Sequence, residues 1–158
     1  MSKSQKAFKA ASVAPATASA VVRFIKLDSA GAELAADATT AVAVKDAKTG
    51  LIWSLEETKR MTWKKAMVYP SSLTLCGFGD WRLPTCDELL TLVDRTRVSP
   101  AIDVAFFPAC KSDWYWSSTP YAGLPGDYAW YVYFSSGGAF WNVQDADGCV
   151  RAVRASQS

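Results

Sequence analysis

The sequence contains no histidine. That absence removes Ser-His-Asp and Cys-His nucleophile systems, histidine-ligated zinc and most proton-shuttle chemistry. No apolar run approaches the roughly 20 residues that a membrane-spanning helix needs, so no membrane span is expected. The four cysteines, Cys76, Cys86, Cys110 and Cys149, are widely spaced and form no Cys-x-x-Cys pair. A zinc ribbon or thioredoxin-like centre therefore lacks its ligands. Charge is scarce as well: 17 basic and 15 acidic residues leave +2 over 158 residues, and no nucleic-acid partner is expected. What the chain does have is apolar residues (50%) and aromatics (13%), enough to build the core of one domain of ordinary size.

The charge is unevenly placed. Residues 1–27 hold Lys3, Lys6, Lys9, Arg23 and Lys26 and no acid, which leaves the rest net acidic. From Ser99 to Val150 Lys111 faces Asp103, Asp113, Asp127, Asp145 and Asp147, and thirteen of the twenty aromatic residues fall there. Residues 1–20 read as a basic, Ala-rich arm without a hydrophobic face, set apart from a domain over 21–158. Its apolar stretch is broken by Ser12, Pro15, Thr17 and Ser19, too weak for a secretory signal. Such an arm is expected to anchor the domain to protein partners in a larger assembly, or to a second copy in a homo-oligomer.

Along the domain, residues 21–27 alternate as a strand does, and Asp28-Ser29-Ala30-Gly31 reads as a turn. Residues 41–45 and 51–54 suggest two strands around a Lys48-Thr49-Gly50 turn. Thr62 can cap a helix with Trp63, Ala66 and Met67 on its inner face, ended early by Pro70. Thr85-Cys86-Asp87-Glu88 has the spacing of a capping box, in which Thr85 and Glu88 satisfy each other's backbone N–H. Leu89, Leu92 and Val93 then give an apolar stripe running to Asp94. Beyond Ser99 the pattern becomes short alternations at 115–118, 129–134, 139–143 and 149–154, punctuated by Gly and Asp. The fold class expected is α+β, with two short helices packed on small antiparallel sheets joined by long loops.

A longer pattern runs through these elements. Lys48-Thr49-Gly50-Leu51-Ile52-Trp53 is followed by Trp63-Lys64-Lys65-Ala66, then by Cys76-Gly77-Phe78-Gly79-Asp80-Trp81-Arg82-Leu83-Pro84-Thr85 and Glu88-Leu89. Phe106-Phe107-Pro108, Tyr115-Trp116-Ser117-Ser118, Tyr131-Val132-Tyr133-Phe134 and Val150-Arg151-Ala152-Val153-Arg154 complete it. In order and spacing, from about Arg23 to Arg154, this resembles the Lcl C-terminal (Legionella collagen-like) domain family. The resemblance implies a C-type lectin-like fold, related in architecture to formylglycine-generating enzymes and to the variable proteins of diversity-generating retroelements. It also implies a place on bacterial surfaces or phage particles and a ligand-binding role, with no catalytic motif. Ala43 and Ala152 stand where some relatives carry cysteine, and Pro70 where others have one after a tyrosine. The pairing of the four cysteines present stays open.

Two groups of residues stand out. Trp53, Trp81, Asp80, Arg82, Thr85, Glu88, Arg151 and Arg154 read as a structural motif. Asp80 is expected to pair with a half-buried Arg82 and so fix the loop entering the capped helix. Trp114, Tyr121, Tyr128, Tyr131, Tyr133 and Trp141 read as ligand-binding. Period-two geometry sends Trp130, Val132 and Phe134 to one face of a strand and Tyr131 and Tyr133 to the other, so that one set fills the core and the other meets a partner. Asp145-Ala146-Asp147-Gly148 lacks the further oxygen ligands of a calcium loop and reads as a turn, so neither metal nor cofactor is expected. Cys86, near a helix N-terminus, is expected to have a lowered thiol pKa.

These readings lead to a non-enzymatic display or ligand-binding module. The lean is to a phage virion surface protein, a decoration or tail-associated component that binds a host-surface protein or glycan. The alternative is an adhesin-like lectin domain, secreted or on a bacterial cell surface. A remote alternative is a cysteine oxidase of the formylglycine-generating type, which needs a reactive cysteine pair holding copper.

Overall fold

Short apolar alternations, with glycine turns between them, organise the computed structural model, which describes residues 21–56 and 58–157. The expected arm at 1–20 lies outside the described residues. β1 (Phe24–Leu27), β2 (Glu33–Leu34), β3 (Ala43–Asp46) and β4 (Leu51–Ser54) follow one another and are joined by a late strand. β1 starts three residues later than the alternation suggested, because its partner β3 ends at Asp46, opposite Phe24; Arg23, just before β1, grips the buried Asp46 carboxylate at 2.9 Å. The β3–β4 turn closes through Gly50 at φ 70°, a left-handed conformation glycine adopts without a Cβ clash.

α1 (Trp63–Val68) starts after Thr62, but the Thr62 side chain makes no cap hydrogen bond. Ala66 is buried and Trp63 half-buried, whereas Met67 faces outward, so the inner face is narrower than expected. Pro70 ends the α-helix by opening a 3₁₀ turn, Tyr69–Ser72. α2 (Cys86–Leu90) carries the complete capping box. Thr85 Oγ1 accepts from Glu88 N–H at 3.2 Å, and Glu88 Oε2 accepts from Thr85 N–H at 2.8 Å. The helix stops before Leu92, yet Leu92 remains buried in the turn that follows.

β5 (Trp114–Pro120), β6 (Tyr128–Tyr133) and β7 (Gly138–Val143) form a second sheet in that order, and β8 (Val153–Ala155) closes the first as β2-β1-β3-β4-β8. Both sheets are antiparallel. The expected strand at 149–154 is mostly a stitch between them. Gly148 bridges Met61 and Cys149 bridges Tyr115 before β8 begins, and Val153, the first residue of β8, also bridges Arg82. The result is α+β, two small antiparallel sheets with short helices and long loops.

One core is shared by both sheets and α2: Phe24, Val44, Trp53 and Val153 meet Leu89, Tyr115, Val132 and Phe134. A second cluster covers the other face of the first sheet with Trp81, Leu73 and Cys76. A third covers the other face of the second sheet with Trp116, Ala129 and Ala66 of α1. Trp53 and Trp81 are thus core residues, and Trp81 donates its indole N–H to the Phe78 carbonyl at 3.0 Å.

The arginines correct the expected pairing of Asp80 with Arg82. Arg82 makes a two-pronged bond to Glu88, at 2.8 and 2.7 Å, and so clamps the capping box from outside. Asp80 instead receives the guanidinium of the buried Arg154, at 2.6 and 3.2 Å. Arg154 lies 3.6 Å above the Phe78 ring, a cation–π contact. Arg151, also buried, donates to the Ser54 carbonyl at 2.6 Å and stacks over Phe107 and Tyr115.

Candidate ligand-binding face

The second sheet puts its aromatic residues on both faces, and register decides which residue goes where. Trp130 pairs with Trp141 and Val132 with Ala139, so these four share a face with Tyr128. Trp116 pairs with Tyr131, Trp114 with Tyr133 and Tyr131 with Phe140, and these occupy the opposite face.

On the opposite face most of the aromatic surface is already used. Trp116 is fully buried and donates its indole N–H to the Met61 carbonyl. Trp114 stands edge-on to it at 4.8 Å and contacts Tyr131 at 4.9 Å, both belonging to the third core cluster. Arg60 lies 5.2 Å over the Trp114 ring and forms an ion pair with Asp113 at 2.6 Å. Burial, and then neighbouring Tyr133, raises the Tyr131 phenol above its ordinary pKa. Tyr133 and Phe140 remain exposed there.

The Trp130 face is different. Tyr121, in the loop after β5, stacks flat on Trp141 with centroids 4.6 Å apart and planes at 6°. Trp130 meets Trp141 edge-on at 5.1 Å, and Tyr121 also touches Tyr128 and Trp130. Beside this group runs a groove of about 280 Å³ between α2 and the sheet, lined by Cys86, Asp87, Leu90, Thr119, Trp130 and Ala139. Its wall is held in place by the capping box and by Thr119, whose hydroxyl accepts from the Cys86 N–H at 3.0 Å. The groove thus offers an aromatic and aliphatic lining with one carboxylate and one hydroxyl at its edge, a common composition for a small-ligand site.

Of the six aromatic residues picked from the sequence, Tyr121, Tyr128 and Trp141 come together here. Trp114 and Tyr131 pack into the third cluster, and Tyr133 lies on the far face. Sequence reasoning left Trp130, which also packs against the first core cluster, out of the ligand-binding set, and it missed Asp87, Leu90 and Thr119 because their nearness to Trp130 depends on how α2 docks. The pairing of Trp130 with Trp141 is the signal that joins them, and it exists only once the β6–β7 register is known.

The cysteine chemistry differs from expectation. All four thiols are buried and none is in a disulfide. Burial pushes Cys86 up to about 11, with the neighbouring Asp87 adding to it, and this outweighs any lowering by the helix N-terminus. Asp145 falls in the turn after β7, and no grouping of three acidic or cysteine side chains suited to a metal occurs among the described residues.

A family model described as the Lcl C-terminal domain matches residues 42–154, most of the chain. No curated protein matches it.

Proposed function

The chain belongs to the Lcl C-terminal domain family, and from that premise we propose that it is a non-enzymatic module that binds a surface ligand through the Tyr121–Trp130–Trp141 face. The observation that carries this reading is the flat Tyr121–Trp141 stack beside the α2 groove, with Trp141 nearly half exposed. Large rings with few rotors give contact area at low entropic cost, and the Asp87 carboxylate and Thr119 hydroxyl supply polar complements at the groove edge. This fits a host-surface glycan or protein. The family resemblance further supports a C-type lectin-like fold and display on a phage particle, and the basic, Ala-rich composition of residues 1–20 supports their role as the anchor.

The test compares Trp141→Ala and Tyr121→Ala with Trp116→Ala, on immobilised oligosaccharides and on intact host-cell envelopes. The first two are expected to reduce binding at least tenfold with little change in Tm. Trp116→Ala, which empties a fully buried site, should cost about 3–5 kcal/mol of stability instead. Unchanged binding in both surface variants would refute the assignment of this face. Copurification of the full chain with particles, lost on deleting residues 1–20 while Tm is kept, would support the anchor.

A further inference from the structure

β7 is the outer strand of its sheet, and no described element pairs with its open edge. Gly138–Val143 contains neither charge nor proline, while Phe140 and Trp141 are each 47% exposed. Soluble proteins usually blunt such an edge with lysine, proline or a bulge.

The hydrogen-bond parity of β7 follows from its last rung. Gln144 N–H reaches the Asp127 carbonyl at 2.8 Å, so residues 142, 140 and 138 bond inward to β6. Residues 139, 141 and 143 therefore turn their N–H and C=O to the open side. Val143 is already satisfied, its N–H by Asn142 Oδ1 at 2.8 Å and its C=O by Ala146 N–H at 3.0 Å. Ala139 and Trp141 are left, placed symmetrically about Phe140.

We propose that β7 pairs antiparallel with β7 of a second copy, about a two-fold axis at Phe140. Ala139 of each copy then exchanges two backbone hydrogen bonds with Trp141 of the other, four in all. The small Ala139 lies opposite the large Trp141, and the two Phe140 side chains meet in a non-hydrogen-bonded pair, where cross-strand contact is closest. With no charge on the strand, no like charges face each other. A register centred on Trp141 would need the Val143 groups that are already taken. One centred on Ala139 would need Gly137, whose N–H is held by the Tyr133 carbonyl at 2.7 Å. A second copy is favoured over a foreign strand because self-pairing closes both open edges at once, in an isologous dimer.

Half-exposed aromatics of this size bring only about 100 Å² each to the contact, which places the dimer at the small, reversible end of interfaces. Because the axis is perpendicular to the sheet, the two Tyr121–Trp141 stacks lie on the same side of the joined six-stranded sheet. A repeated surface ligand would then be held bivalently. The dimer itself does not depend on that ligand.

Sedimentation of the full chain across the micromolar-to-millimolar range should show concentration-dependent dimers, and Phe140→Lys should remain monomeric with its Tm kept. Under mild oxidation Phe140→Cys should give a disulfide-linked dimer, since residues opposite on paired strands lie within disulfide reach. Tyr133→Cys and Val143→Cys should not. A wild-type monomer at the highest concentration would overturn the proposal. So would association of Phe140→Lys equal to wild type, or equal cross-linking in the two control variants. Ligand binding by the Phe140→Lys monomer reports on the aromatic face separately.

Discussion

Arg82 and Arg154 show how much a side chain's role depends on distant neighbours. Arg82 lies two residues from Asp80 yet closes on Glu88, while Arg154 crosses from β8 to take Asp80. The Arg82 hydrogen bonds hold the Glu88 carboxyl below its ordinary 4.5, burial opposes them, and the Thr85 N–H adds to the lowering. A carboxylate depressed on folding adds stability above its unfolded pKa, and that part is lost as pH falls through the folded value. The Tm gap between wild type and Glu88→Gln should therefore be widest near neutrality and shrink below about pH 4.5. A gap independent of pH would mean that the charge of Glu88 contributes nothing. Gly148 gives a second residue-scale case: a Cβ there would sit 2.3 Å from the Trp114 ring, which Trp116, Tyr131 and Arg60 hold in place. Gly148→Ala is expected to cost about 1–3 kcal/mol by overpacking, measured by denaturant unfolding.

At the scale of elements, α2 spans five residues, and its ends matter more than its length. Thr85→Ala removes the acceptor for the Glu88 N–H and should cost about 1 kcal/mol, or about 2–4 °C in Tm. Because α2 forms one wall of the groove, the same change should weaken ligand binding beyond its effect on stability, which a titration at a temperature well below Tm can separate. The capping box and the turn at Gly50 were legible in the sequence, since both are local rules of backbone hydrogen bonding. So was the alternation in β6. The strand at 149–154 was legible only in part. Its alternation is real, but its partners come from β5, the segment before α2 and β4, which makes it a stitch between sheets rather than one strand.

For the whole molecule, three clusters divide the core, and four thiols lie within them or at their margins. Cys76 is raised by burial as Cys86 is, with Asp28 adding to the effect. Ellman's reagent should find all four thiols silent in the native protein and reactive together on unfolding, because burial withholds access to each of them. A fast native thiol would revive cysteine chemistry for this chain.

The sequence by itself determined most of the strands, the capped helix, the core places of Trp53 and Trp81 and the family, because these rest on spacing within a few residues or on an ordered motif. Only the tertiary structure decided which carboxylate each arginine holds and which aromatic residues share the exposed face. Those outcomes depend on strand register and helix docking. Contacts between residues far apart in the chain settle both, and no local periodicity carries them.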